Sequence, residues 1–281
     1  MTMTGFGFLV LAAPILFVGA AAPRPVTQGA PGLTYDFVLR LSRTAQDGKI
    51  YRGNGVRGHA SVLGDHVRVD FDEHAAPPGM TGSYFLSNDA GAHAVLVDTD
   101  KHQAMEMPMP ALVKKFSNSS GNFGGLLNQA TDVHVDVQDL GAGPDMFGQP
   151  TKHYQLIEMK TVNGNVRDAA QHQRDSVIVD LFYAPGLQNF INPFVSEPPF
   201  AGRLDGLGGE DMQRYLAARA KLYPGLAPLR AVTRETITDG NGKSVNLVLT
   251  VMITRIESAD VDPSIFDIPE GYSKSVVQGL Q

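Results

Sequence analysis

Four side chains in one short segment, Asp132, His134, Asp136 and Gln138, are the sequence's first candidates for chemistry. Alternate residues of a strand share a face, so these four project together while Val133, Val135 and Val137 point the other way. Carboxylates beside an imidazole suit a metal ion or general acid–base catalysis. Like-facing neighbours on one strand lie roughly 7 Å apart, however, and cannot by themselves converge on a single ion. The commoner meaning of such a run is the solvated face of an amphipathic strand. The other histidines (His59, His66, His74, His93, His102, His153 and His172) are scattered, with no HExxH or comparable ligand spacing.

Other reactive groupings are weaker. Asp70, Asp72 and Glu73 close an apolar strand, and paired carboxylates can hydrolyse glycosides when held at a fixed separation. With no Trp and only 8% aromatic residues, the chain offers no evident platform for a sugar ring. Gly206-Leu207-Gly208-Gly209 leads into a helical pattern, yet Glu210 and Asp211 in its first turn oppose a bound anion and no P-loop Lys-Ser/Thr follows. No Gly-x-Ser-x-Gly or Ser-x-x-Lys is present, and the absence of Cys removes thiol nucleophiles, zinc–thiolate sites, iron–sulfur clusters and disulfides together. Asn118-Ser119-Ser120 matches a glycosylation acceptor. The expectation is a non-enzymatic protein without metal or cofactor.

The elements that would position these residues are mostly strands. The 281 residues carry 23 Lys+Arg against 29 Asp+Glu, a formal charge of −6, and no long basic stretch, which argues against a nucleic-acid partner. A content of 43% hydrophobic and 19% charged residues supports a large core. The 30 Gly and 18 Pro fit many strands joined by turns better than a helical bundle.

Gly5 to Ala22 is almost wholly apolar and ends in Gly19-Ala20-Ala21-Ala22, the pattern of a secretory signal peptide. Cleavage after Ala21 places a signal peptide at 1–21, a Pro/Gly-rich linker at 22–32 and a single domain at 33–281. No Lys or Arg precedes the apolar run, which departs from the usual signal pattern; retention as an anchor is the competing reading, with Pro14 interrupting the run. The expected location is periplasmic or otherwise extracytoplasmic, and without Cys the mature protein is not a lipoprotein.

Leu33, Tyr35, Phe37, Leu39 and Leu41 fall on one face and Thr34, Asp36, Arg40 and Ser42 on the other, a half-buried antiparallel strand. Strands are expected at Val56–Leu63, His66–Asp72, Tyr84–Ser87, Ala92–Thr99 and His102–Met107, with a tight hairpin at Gly64-Asp65. Later strands are expected at Asp132–Asp139, Lys152–Lys160, Ser176–Tyr183, Leu229–Thr238 and Ser244–Ile256, the last two joined at Asp239-Gly240-Asn241-Gly242. About ten such strands predict a mainly β (α+β) fold: a strongly curved antiparallel sheet, half-barrel or barrel, with a few covering helices. Helices are predicted at Pro110–Phe116 and, with Met212, Tyr215, Leu216 and Leu222 on the apolar side, at Gly209–Tyr223, where Pro224-Gly225 ends it.

Four patches resemble an exported bacterial family of unknown function related to the lipoprotein-carrier (LolA/LolB-like) superfamily. They are Gly64-Asp65-His66-Val67-Arg68-Val69-Asp70, Ala94-Val95-Leu96-Val97-Asp98-Thr99-Asp100-Lys101 with the Met-rich strand after it, Thr151-Lys152-His153-Tyr154, and Phe266-Asp267-Ile268-Pro269-Glu270-Gly271-Tyr272. The resemblance implies a half-barrel whose apolar concave face, covered by helices, holds acyl chains. The residues themselves leave open whether that face encloses a cavity or a packed core. Tyr35, Phe37, Leu39, Val67, Val69, Phe71, Met212, Tyr215 and Leu216 are the candidate cavity lining. Met105, Met107 and Met109 fit either a promiscuous apolar surface or a core. The expected function is binding or carriage of a lipid or acylated ligand in the cell envelope, and the alternative is a structural or protein-interaction module with an envelope partner.

Overall fold

The computed structural model describes residues 32–53, 55–72, 82–89, 93–108, 130–166, 169–187, 190, 213, 217, 222 and 228–276. Among the described residues thirteen strands form one sheet: β1 (Gly32–Thr44), β2 (Ile50–Arg52), β3 (Val56–Leu63), β4 (His66–Phe71), β5 (Ser83–Ser87), β6 (His93–Asp98), β7 (Gln103–Pro108), β8 (Ala130–Ala142), β9 (Lys152–Val166), β10 (Ala169–Tyr183), β11 (Arg230–Thr238), β12 (Ser244–Ala259) and β13 (Ser273–Val276). Their order is β13-β7-β6-β5-β4-β3-β1-β12-β11-β10-β9-β8, with β2 added to β1. Every pairing is antiparallel except β13 on β7, which is parallel.

The protein is therefore mainly β, and the sheet is open. A closed barrel would require its two ends, β8 and β13, to pair. β13 is only four residues long and lies parallel to β7, with the Ser273 amide donating to the His102 carbonyl at 2.9 Å. Among the described residues no helix covers the sheet. Gln213 and Ala217 are helical, and the rest of the helix expected at Gly209–Tyr223 lies outside the described residues apart from Leu222, as does the one expected at Pro110–Phe116.

The turns follow from residue chemistry. Gly64 joins β3 to β4 with φ 60°, a conformation cheap only for a residue without Cβ. In the β11–β12 connection the Asp239 carboxylate accepts from the amides of Asn241 and Lys243, and Gly242 takes φ 77°. Gly58 is needed for a different reason: a Cβ there would overlap the Asp70 carbonyl oxygen and stand 2.7 Å from Phe37 Cζ.

Strand alternation sorts side chains to two faces. The inner face is apolar across most of the sheet and forms two clusters bridged by Leu39. One gathers Tyr35, Phe37, Ala60, Val62, Val67, Val69 and Ile253, with Phe190 edge-on to Tyr35 at 5.0 Å between ring centres. The other gathers Val137, Leu156, Val177, Val179, Leu181, Leu249 and Val251, with Leu222 packed among them.

The opposite face has its own small core. Tyr84 and Leu86 alternate with inward Phe85 and join Val97 and Ala104, and Ile268 and Tyr272 pack on them. After β12 the chain makes a 3₁₀ turn, Pro263–Phe266, capped by Asp262, then crosses this face and ends as β13. Arg68 holds the crossing. Its guanidinium chelates Asp70, donates from Nη1 to the Ile265 carbonyl at 3.1 Å, and lies 3.9 Å over the Tyr84 ring. The Asp70 carboxylate, with a smaller contribution from Tyr84, raises the Arg68 pKa against the opposing effect of burial.

Two strands were not expected, β2 and β13, and the β9–β10 hairpin is longer than predicted. Thr161–Val166 and Ala169–Arg174 carry no hydrophobic alternation, so periodicity gave no signal; the ladder from Ala169↔Val166 to Arg174↔Thr161 is made by backbone pairing.

Candidate functional site

The inner face is the leading candidate site. Six of the predicted lining residues stand on it together: Tyr35, Phe37, Val67 and Val69 are buried, and Leu39 and Phe71 are half-buried against the same clusters. Phe37, Phe71 and Phe85 form a run of edge-to-face rings, with centres 6.4 Å and 5.7 Å apart. The other three, Met212, Tyr215 and Leu216, lie outside the described residues. Met105 pairs with Leu96 in the β6–β7 ladder, Met107 pairs with Ala94, and Met109 lies outside the described residues.

Toward the β8 edge the same face changes character. Glu158 and Lys160 on β9, Asp175 on β10 and Glu235 on β11 occupy inward positions and are all buried. Lys160 Nζ stands 3.1 Å from Glu158 Oε1 and 3.8 Å from Asp175 Oδ2. Among the described residues Glu158 Oε2 is buried with no hydrogen-bond partner. Burying charge is costly unless it is paired, so this group is tightly constrained by what surrounds it. The sequence reading missed it. The available signal was parity: Tyr154 and Leu156 face inward, so the alternation carries Glu158 and Lys160 inward too.

A second polar hub sits on the outer face. The Asp180 carboxylate accepts from His153 Nε2 at 2.9 Å, Gln155 Nε2 at 3.0 Å and Arg234 Nη1. Burial raises its pKa, but the bonds from Arg234, Gln155 and His153 outweigh that and hold the carboxyl below its ordinary value. His153 stacks on Phe182 at 4.4 Å, and Arg230 approaches the same ring. The hub clamps β9, β10 and β11 together.

The Asp132/His134/Asp136/Gln138 ladder falls on β8, at the end of the sheet. Gln138 Nε2 donates to Asp136 Oδ2 at 3.0 Å, and the β8–β9 register shifts between Thr131 and His134, so a bulge at Asp132-Val133 interrupts the ladder. Among the described residues no group of three or more His, Asp and Glu side chains is arranged to hold a metal ion. Asp70 of the carboxylate cluster is engaged by Arg68, and Glu73 lies outside the described residues. His59 pairs with Asp36 at 2.7 Å and His93 with Asp89 at 2.6 Å, both at the surface.

The site thus belongs to an open antiparallel β-sheet with one broad apolar face and a buried charged group at one end of it. No family model matches the sequence. No curated protein matches it either. A solved structure of PNGF-II is similar with a TM-score of 0.33 and 10% identity over 86% of this chain, a likeness too low to define a shared fold; this chain spans 32% of that one. Among the described residues no helix is long and apolar enough to cross a membrane.

Proposed function

We propose that the protein is an exported, non-enzymatic component of the cell envelope that binds or carries a lipid or acylated ligand on the inner face of its sheet, which acts as a half-barrel. One observation carries the reading: the inner face is apolar continuously from Val67 and Val69 on β4 to Leu156 on β9, and Leu39 joins its two clusters. An apolar face of that breadth suits long hydrocarbon chains. Half-buried Leu39, Leu41, Phe71 and Phe85 border its fully buried centre. Leu222, from the segment between β10 and β11, packs on this face. The signal-like N-terminus and the four patches resembling the lipoprotein-carrier superfamily support export and an acyl-chain ligand.

The chain has no Trp, so a single introduced indole reports on one place. Phe85→Trp puts it beside the inner aromatic run and His59→Trp on the polar outer face. A ligand on the inner face gives quenching by a brominated fatty acid for F85W and none for H59W, and native mass spectrometry of protein from the periplasm shows an added mass that solvent extracts as lipid. Bare protein together with an unquenched F85W would reject the proposal.

A further inference from the structure

We infer that β8 is the seam of a two-fold dimer, pairing antiparallel with β8 of a second copy about Val135. Among the described strands β8 has a neighbour on one side only, and its 13 residues make it by far the longer of the two sheet edges. An unpaired edge of that length is a template for another strand. His134, Gln138, Asp139 and Leu140 are exposed along it, Leu140 to 46%.

Charge complementarity selects the second copy and the register. Opposed residues of an antiparallel pair share a face, so a two-fold axis between two residues would set outer positions against inner ones. The axis must therefore pass through a residue. About His134, imidazole meets imidazole. About Asp136, the two Asp136 carboxylates oppose each other. About Val135, His134 meets Asp136 of the second copy at both ends, and Val135 meets itself on the inner side. Gln138 already holds Asp136 by its 3.0 Å bond within each chain. The register shifts at Thr131/His134 and Asp139/Gly141 bound the regular stretch, which contains both His134 and Asp136. The same symmetry continues one inner face into the other.

The test is a charge swap read by sedimentation equilibrium on the full chain, with circular dichroism confirming the fold. The wild type should be a dimer. H134D sets carboxylates against each other and D136H sets imidazoles against each other, and each should weaken association by at least about tenfold, because two symmetric cross-strand pairs change at once. The double variant H134D/D136H restores opposite partners and should recover the wild-type Kd. H134K, which sets a cation opposite Asp136, should dimerise at least as well as the wild type at the position where H134D does not. A monomeric wild type, a dimer indifferent to H134D, or a folded double variant that stays as weak as the single ones would overturn the inference.

Discussion

Removing the cation from the buried charged group on β9 should be among the most damaging single changes in the sheet. At an effective dielectric constant of about 20, the 3.1 Å and 3.8 Å separations from Lys160 Nζ correspond to attractions of roughly 5 and 4 kcal/mol. Those gains are set against the several kcal/mol it costs to desolvate each ion. In Lys160→Met the attraction to Glu158 is lost while that carboxylate stays only 5% exposed, so the desolvation cost remains without its compensation. The expected loss is about 3–5 kcal/mol, the usual consequence of breaking a buried pair. At roughly 2–4 °C per kcal/mol for a chain near this size, the melting temperature should fall by about 6–20 °C. Glu158→Leu/Lys160→Met removes that pair and should recover the part of the loss due to Glu158, since replacing a buried ion pair with apolar residues is often close to neutral, while Asp175 still lacks its 3.8 Å partner. Urea unfolding of the wild type and both variants at neutral pH measures the differences. A Lys160→Met loss under about 1 kcal/mol, or a double variant no better than the single one, would refute the argument that Glu158 depends on Lys160.

Asp180→Ala should cost about 1.5–3 kcal/mol at neutral pH through the lost charge-assisted bonds, measured by denaturant titration. The folded carboxyl titrates below its unfolded value of about 3.9, so its contribution is fully present above that pH and disappears as the pH falls through the lower folded value; unfolding curves collected across acid pH should show that component in the wild type and not in D180A. Phe266→Ala, in the buried anchor of the C-terminal crossing, should destabilise by about 3–5 kcal/mol and expose the Tyr84 cluster to a hydrophobic dye, whereas a stable, dye-silent variant would mean that the crossing does not protect that cluster. Phe147 holds φ 53° at an exposed hairpin tip, so Phe147→Gly should stabilise by about 1–2 kcal/mol in the same assay, partly offset by the greater freedom of glycine in the unfolded chain.

What the sequence made legible was the set of strands whose two faces differ. Leu33 to Leu41 alternate, Val38 apart, because one side of β1 meets the core and the other carries Thr34, Asp36 and Arg40. Where both faces have the same character, alternation fails. Tyr84, Phe85 and Leu86 are all apolar because β5 serves a core on each side, and nothing local announces that the outer one exists. Its cover comes from Ile268 and Tyr272, far along the chain, so the closing Phe-x-Ile-Pro-x-Gly-Tyr stretch was legible as a motif but not as a fastening. The ladder at Asp132–Gln138 was legible as residues on one face, but edge position and a bulge are properties of the whole sheet. Glu158, Lys160 and Asp175 were legible only through parity, which sets residue charge against strand direction.

The two faces change together along the sheet, and this bears on where a ligand would lie. Over β5 and β6 both faces are apolar: the inner side carries Phe85, beside Val67 and Val69 of β4, and the outer Tyr84, Leu86 and Val97. Over β9 to β11 both faces carry buried charge, Asp180 outside and Glu158, Lys160, Asp175 and Glu235 inside. Hydrocarbon gains least against buried ions, because it offers them no hydrogen bond in return for lost solvent. An acyl chain on the inner face should therefore lie toward Tyr35, Phe71 and Phe85, away from β8. In the indole series, F85W should then be quenched by brominated fatty acid more strongly than V135W, whose site faces Glu158 across the β8–β9 ladder. Equal quenching at both positions would show that the charged group does not orient the ligand.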